Sequence, residues 1–226
     1  PRLSEVSPIQ AKYLSFIERL EASGFLGDTN PDYANRVVHS TDNSIYQILP
    51  QGVIYPKNTQ DIRLLVSLSN QEEFQDIVLS PRGGGTGTNG QSLTDGLVVD
   101  LSKHMNRILE INTEEGWARV EAGVVKDQLN KAIKPHGLFF APELSTSNRA
   151  TIGGMINTDA SGQGSVMYGK TRDHVLSLKT VLLDGYLLES SPINDDSLAK
   201  IQSGSDYSAH AHRILDSIQK SKAQEI

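Results

Sequence analysis

The chain has 226 residues, 37% of them hydrophobic and 21% charged, enough for one large domain or two small lobes with a buried core. A formal net charge of -6 without a basic cluster argues against a nucleic-acid groove or an anionic membrane surface, both of which need concentrated Lys and Arg. With no cysteine there is no disulfide framework, thiolate zinc site or cysteine nucleophile in this chain, and no run approaches ~20 apolar residues, so neither a spanning helix nor a signal peptide is expected. The cytoplasm is the expected compartment, with peripheral attachment at an inner membrane left open, and Pro1 in place of Met suggests a trimmed chain.

In chain order, Ser7 and Pro8 read as a helix cap and first turn, followed by Ile9, Tyr13, Leu14, Phe16, Ile17 and Leu20 at helical spacing until Gly24. Residues 25–50, rich in Asp, Asn and Pro, read as an irregular arm over the body. Val53, Ile54 and Tyr55 make a short strand ending at Pro56, and Asn58 with Asp61 resembles a capping box that opens a helix to about Leu68. Strands are expected at 76–80, 97–101, 107–112 and 118–121, the last two around a turn at 114–116. A helix over 125–134 closes at Pro135 and Gly137, and residues 141–171 read as one long loop. Strands at 175–183 and 186–189 form a hairpin through Asp184-Gly185, and 197–226 is a polar helical tail. The expected organisation is an arm (1–47), two lobes (48–110 and 111–195) each mixing strands with a helix, and the tail (196–226): an α+β fold.

Ten of the nineteen glycines fall in two windows, five in residues 83–90 and five in 153–169. Glycine gives up packing and costs backbone entropy, so this density suggests close backbone approach to something, most simply a diphosphate held by N–H groups; a flexible surface loop is the plain alternative. Residues 85–90 match the dinucleotide pattern G-x-G-x-x-G after a strand, but residues 91–96 form a polar turn into another strand instead of opening a helix, and the nucleotide-fold reading fails there. Residues 164–171 match the ATPase phosphate loop G-x-x-x-x-G-K-[ST], with Val181-Leu182-Leu183-Asp184 imitating a magnesium-binding strand. No apolar strand precedes it, and the nine residues between Thr171 and Val181 are too few for a helical crossover. ATP binding is the rival reading.

Pro81-Arg82-Gly83-Gly84-Gly85-Thr86-Gly87 resembles the first loop of the FAD-binding (PCMH-type) domain of the vanillyl-alcohol oxidase and D-lactate dehydrogenase-like superfamily. A second match follows in order: Pro142-Glu143-Leu144-Ser145, Ala150-Thr151-Ile152-Gly153-Gly154-Met155, Asn157, Ala160-Ser161-Gly162, Tyr168-Gly169 and Asp173-His174-Val175. The resemblance covers roughly residues 48–190 and implies a two-lobed domain with mixed sheets and flanking helices. It implies that Arg82, Gly83, Gly84, Gly85, Thr86, Gly87, Asn89 and Gly90 wrap the pyrophosphate, with side-chain donors from Thr86 and Asn89. Pro142, Ser145, Gly153, Gly154, Asn157, Ser161 and Gly162 would lie near pyrophosphate, ribitol and isoalloxazine, and Pro56 and Val175 at the adenine end. Some relatives attach FAD through a histidine of the first loop; Gly85 stands at that position, so noncovalent binding is implied. Residues 25–28 and 40–47 look more narrowly like long bacterial flavin oxidoreductases similar to D-2-hydroxyglutarate dehydrogenases, which add a cap domain and, in long forms, an iron–sulfur segment that this cysteine-free chain would lack. The implied reaction of the complete enzyme is oxidation of a 2-hydroxy acid, D-2-hydroxyglutarate- or D-lactate-like, by hydride transfer to flavin N5, with electrons passed to a separate acceptor. No catalytic residue or oligomeric state follows, and a flavin-binding module without catalysis of its own is the other alternative.

The remaining polar and aromatic residues have plainer readings. His210 and His212, two apart on a helix, face different sides and make a poor metal site. His39, His104 and His136 read as structural, and His174 as packed or capping. Arg82 can pair with a phosphate or tie down its own loop. Tyr168 reads as core or as packed near the flavin, and Trp117 as core.

Overall fold

The computed structural model describes residues 8–223 and residue 225. Its first helix, α1 (Ala11–Ala22), starts later than Ser7-Pro8 would place it: Gln10 holds the N-cap position and its amide donates to Gln51 Oε1 at 3.0 Å, while Ser7 lies outside the described residues. The helical spacing is obeyed, and Tyr13, Phe16, Ile17 and Leu20 form the buried stripe.

The arm is more ordered than its composition suggests. It contributes β1 (Asp28–Asn30) and α2 (Tyr33–Val38), with Asp32 capping α2 through the Asn35 amide at 3.1 Å. β1 pairs antiparallel with β2 (Gly52–Tyr55) in the register Asp28↔Tyr55. A three-residue polar strand carries no alternation to read; the unpaired edge of β2 recruits it.

After β2, Asn58 caps α3 (Thr59–Ser69) by accepting from the Asp61 amide at 2.9 Å. The reciprocal half of the expected capping box is absent, because the Asp61 carboxylate takes the amides of Leu26 and Lys57 at 3.0 and 2.8 Å and so binds the arm to α3. β3 (Leu79–Arg82) starts later than expected, and β4 (Leu97–Asp100) lies between β2 and β3 and parallel to both. The sheet order is β1-β2-β4-β3. Parallel strands are covered on both faces, which explains the unbroken apolar runs. Strand alternation sends Ile54, Leu97 and Val99 to the face packed by Phe16, Leu20, Leu65, Leu68 and Phe74, and Val53, Tyr55 and Val98 to the other. Phe16 and Phe74 meet edge to face at 5.2 Å.

The second lobe pairs β5 (Ile108–Asn112) with β6 (Trp117–Val120) as a bulged hairpin, followed by α4 (Lys126–Ile133). The segment read as one long loop contains two short helices, α5 (Ile152–Asn157) and α6 (Ser165–Tyr168); neither is long enough to show helical periodicity in sequence. Val124, Leu129, Ile133, Ala150, Ile152 and Met155 are the core of this lobe. β7 (Leu178–Val181) and β8 (Leu187–Ser190) form the expected hairpin with Gly185 at φ 80°, and its turn docks on α3: Arg63 Nε donates to the Gly185 carbonyl at 2.8 Å and Ser67 Oγ to the Asp184 carbonyl at 3.2 Å. The tail is a helical hairpin, α7 (Asp195–Gln202) and α8 (Tyr207–Ser221). No described helix is long and apolar enough to cross a membrane.

Candidate functional site

Ligands of open parallel sheets sit outside the carboxyl ends of the strands. Here those ends present Pro56 after β2, Arg82 as the last residue of β3 with Gly83 after it, and Asp100 as the last residue of β4. Pro56 is buried two strand spacings from β3, roughly 10 Å across the sheet. The link from β3 to β4, residues 83–96, is a glycine-rich crossover without a helix, so the nucleotide-fold pattern fails for the reason its sequence indicates. Gly85 and Gly90 adopt left-handed φ values of 61° and 72°. Among the described residues, the amides of residues 83–88 donate to no protein acceptor, whereas the Asn89 amide reaches Gln91 Oε1 at 3.0 Å. A run of backbone N–H groups left open in a partly recessed loop is what anionic oxygens bind.

The glycines answer to the protein as well as to a ligand. A Cβ on Gly83 would strike Thr151 Oγ1, and one on Gly84 the Arg149 carbonyl oxygen. In the second window, a Cβ on Gly162 would strike the Glu143 carbonyl, and one on Gly153 would fall 2.8 Å from Ala122 Cβ. The first loop therefore lies directly against the 149–151 segment of the other lobe, which brings Gly83 and Gly84 together with the start of α5. Gly154 differs: its Cβ would meet only Thr151 Oγ1, at 3.2 Å, and the residue is exposed. Thr151 is buried and caps α5 by accepting from the Gly154 amide at 3.3 Å. It lay inside a sequence motif without a role; its contact with Gly83 is invisible before the lobes are docked.

Arg82 is bonded to protein acceptors around its own loop. Its Nη2 donates to the Thr41 carbonyl at 2.7 Å, and Nη1 lies 3.5 Å from the His39 carbonyl and 3.4 Å from Ser92 Oγ. Burial pushes the Arg82 guanidinium pKa down while Asp100 and Asp42 pull it back up. Burial alone would raise Asp100, but the hydrogen bonds from His39 at 3.3 Å and from the Ser102 hydroxyl and amide, both at 2.7 Å, hold it below the usual carboxylate range. Asp42 is likewise lowered, its burial outweighed by Ser44, Ser92 and Arg82.

Along the second stretch Pro142 is buried, Val175 half-buried, and Ser145, Asn157, Ser161 and Gly162 are exposed. Among the described residues, the amides of Leu144, Ser145, Thr146 and Ser161 have no protein acceptor, so this stretch also offers open donors. α5 ends through Asp159 at φ 45°, whose carboxylate accepts from the Arg172 amide at 3.1 Å. Val175 leads into β7, whose hairpin docks on α3.

The rival phosphate loop has the wrong surroundings. α6 is a single turn inside the pattern, no strand leads into it, and a 3-10 turn, Thr171–His174, follows where an ATPase needs a helix. Lys170 Nζ lies 3.8 Å from Asp159, and the Thr171 hydroxyl is buried on the Ala160 carbonyl at 2.7 Å. Tyr168 is not core: it is 46% exposed and packs edge-on against Phe139 at 5.6 Å. Trp117 is half-buried, its indole N–H donating to Glu115 at 2.6 Å. His39 and His104 bind Asp100 and Asp28, and His174 accompanies the Tyr168 carbonyl at 2.7 Å.

The α+β architecture sets these open amide donors where the first glycine loop meets the 149–151 segment, a surface that can take an anionic group. Residues 50–191 match the FAD binding domain family, and the chain belongs to that family. It is 59% identical over 223 residues to D-2-hydroxyglutarate dehydrogenase of Pseudomonas putida, covering 99% of this chain and 22% of that protein. Over 193 residues it is also 59% identical to the Escherichia coli protein of the same name, covering 85% of this chain and 19% of that one. The chain thus spans about a fifth of the length of these relatives. Among solved structures, alkyldihydroxyacetonephosphate synthase superposes with a TM-score of 0.71 at 24% identity, over 85% of this chain and 37% of that one. The 6-hydroxy-D-nicotine oxidase of Arthrobacter nicotinovorans gives 0.65 at 23% identity, over 79% and 38%. At such identities the likeness is one of fold.

Proposed function

We propose that this chain holds FAD noncovalently between its two lobes, as the cofactor domain of an oxidoreductase acting on a D-2-hydroxyglutarate- or D-lactate-like 2-hydroxy acid. The observation that carries the reading is the run of unpaired amides at residues 83–88 set against the start of α5, a cradle whose glycines admit no side chain at Gly83 or Gly84. Gly83, Gly84, Gly85, Thr86 and Gly87 would hold the diphosphate through backbone N–H groups, with Asn89 and Gly90 closing the loop. Pro142, Ser145, Gly153, Gly154, Asn157, Ser161 and Gly162 would line the flavin side, and Pro56 and Val175 the adenine side. Residues 83–90 contain no histidine, cysteine or tyrosine, which supports noncovalent attachment. Bound flavin supplies a two-electron acceptor; the chain's part is to bind, orient and shield it. The hydroxyglutarate-like substrate follows the name of the dehydrogenases above, a separate electron acceptor would reoxidise the flavin, and a cytoplasmic site of action fits bacterial dehydrogenases of this kind.

The test is the visible spectrum of the purified chain, with any released cofactor identified by chromatography after denaturation. Oxidised-flavin bands are expected, and Gly154→Phe should abolish them while circular dichroism stays that of the unaltered chain, since the residue is exposed and a Cβ there would meet only Thr151 Oγ1, at 3.2 Å. A chain that remains colourless after refolding with excess FAD refutes the reading. ATP binding that disappears in Lys170→Ala would restore the phosphate-loop alternative.

A further inference from the structure

The matched domain begins at residue 50, yet the first glycine loop is bonded to residues before it. The Asn43 amide donates to the Gly85 carbonyl at 3.0 Å, and Arg82 Nη2 donates to the Thr41 carbonyl at 2.7 Å. Ser92 Oγ joins Arg82 Nη1, at 3.4 Å, to Asp42 Oδ2, at 3.2 Å, and Asp42 Oδ1 fixes the strap's own turn through the Ser44 amide at 2.8 Å. Tyr46 lies against Gly90, where a Cβ would come within 3.0 Å of its ring, and Thr41 bridges to Gln47 to close the segment on itself. The Arg82 guanidinium sits so close beneath Gly85 that any side chain there would displace it. Residues 40–47 therefore lie across the loop like a strap, fastened on one side by a main-chain bond and on the other by Arg82.

We propose that this strap sets the geometry of the diphosphate-binding loop and that Arg82 is its positioning residue, acting through Thr41, Ser92 and Asp42 instead of contacting the phosphates. The inference rests on the cofactor reading above. The Arg82 nitrogens that donate are directed at the Thr41 carbonyl of the strap, at the His39 carbonyl just before it and at Ser92, and the fork geometry engages several acceptors at once, which an ammonium group cannot reproduce. With the strap unfastened, the open amides of residues 83–88 would sample several arrangements, and the apparent dissociation constant would rise in inverse proportion to the share of time spent in the competent one. A share of about one tenth gives about a tenfold weaker Kd.

The full chain and its variants Arg82→Lys, Arg82→Gln, Asp42→Ala and Arg82→Gln/Asp42→Ala are titrated with FAD by flavin fluorescence, and with ADP as a probe of the diphosphate end. Circular dichroism confirms that each variant is folded. The expected result is a loss of about tenfold for both ligands in every single variant, Arg82→Lys faring no better than Arg82→Gln, with the double variant no weaker than the worse single one. Affinity retained in Arg82→Lys, or losses that multiply in the double variant, would mean that Arg82 meets the phosphates on its own and would overturn the proposal. Single variants that bind as the unaltered chain does would overturn it as well, leaving the cofactor reading intact. An unaltered chain that binds neither FAD nor ADP would overturn both.

Discussion

Gly84→Ala separates the two duties of the glycine windows. The added Cβ would lie well inside contact distance of the Arg149 carbonyl oxygen, a backbone atom in a segment fixed by the Arg149 and Ala150 amides on the Thr146 carbonyl at 2.9 and 2.8 Å. Gly84 does not have a left-handed φ, so alanine carries no backbone strain there and the effect is steric. Relief requires the first loop to part from the other lobe, an overpacking cost of about 1–3 kcal/mol. For a chain of this size that corresponds to roughly 2–12 °C in Tm. Gly154→Ala is the matched control: its Cβ meets only the Thr151 hydroxyl oxygen, at 3.2 Å, and alanine in a helix gains about 0.5–1 kcal/mol over glycine. Thermal melts of the cofactor-free chain should therefore show Gly84→Ala falling and Gly154→Ala holding or rising. Equal melting temperatures for Gly84→Ala and the unaltered chain would refute the packing role and return the first loop to a purely ligand-directed design.

Three further outcomes follow from the geometry. Asp100 has a lowered folded-state pKa, so its contribution is present above the unfolded value of about 3.9 and is lost as pH falls through the folded one; urea midpoints should drop below about pH 4 in the unaltered chain and less steeply in Asp100→Asn, which itself costs about 2 kcal/mol at neutral pH. Ile54, fully buried in the central sheet, should lose about 2–5 kcal/mol on Ile54→Ala in urea unfolding, with partial collapse of the cavity giving the lower figure. Gly185→Ala combines φ 80° with a Cβ pressed on Ser67 Oγ; it should loosen the β7–β8 hairpin from α3, read as faster amide exchange in the hairpin and a loss of at least about 1 kcal/mol.

Sequence by itself determined the features whose cause lies within a few residues. The apolar runs at 53–55 and 97–100 became the central strands, Asn58 its helix cap, Asp184-Gly185 its hairpin, and residues 91–96 ruled out a helix after the first loop. Tertiary structure decided the rest, because each remaining feature depends on a neighbour far along the chain. β1 exists because β2 has an open edge, Asp61 abandons its capping box for Leu26 and Lys57, and α5 is too short to show a period. A glycine in sequence announces that no side chain fits, without saying what occupies the space: Gly83 and Gly84 face Thr151 and Arg149 of the other lobe, while Gly154 is exposed and faces only the Thr151 hydroxyl of its own helix cap. Arg82 has the same ambiguity in charged form: only the tertiary structure shows that its guanidinium meets the Thr41 carbonyl, supplied by a segment about forty residues away.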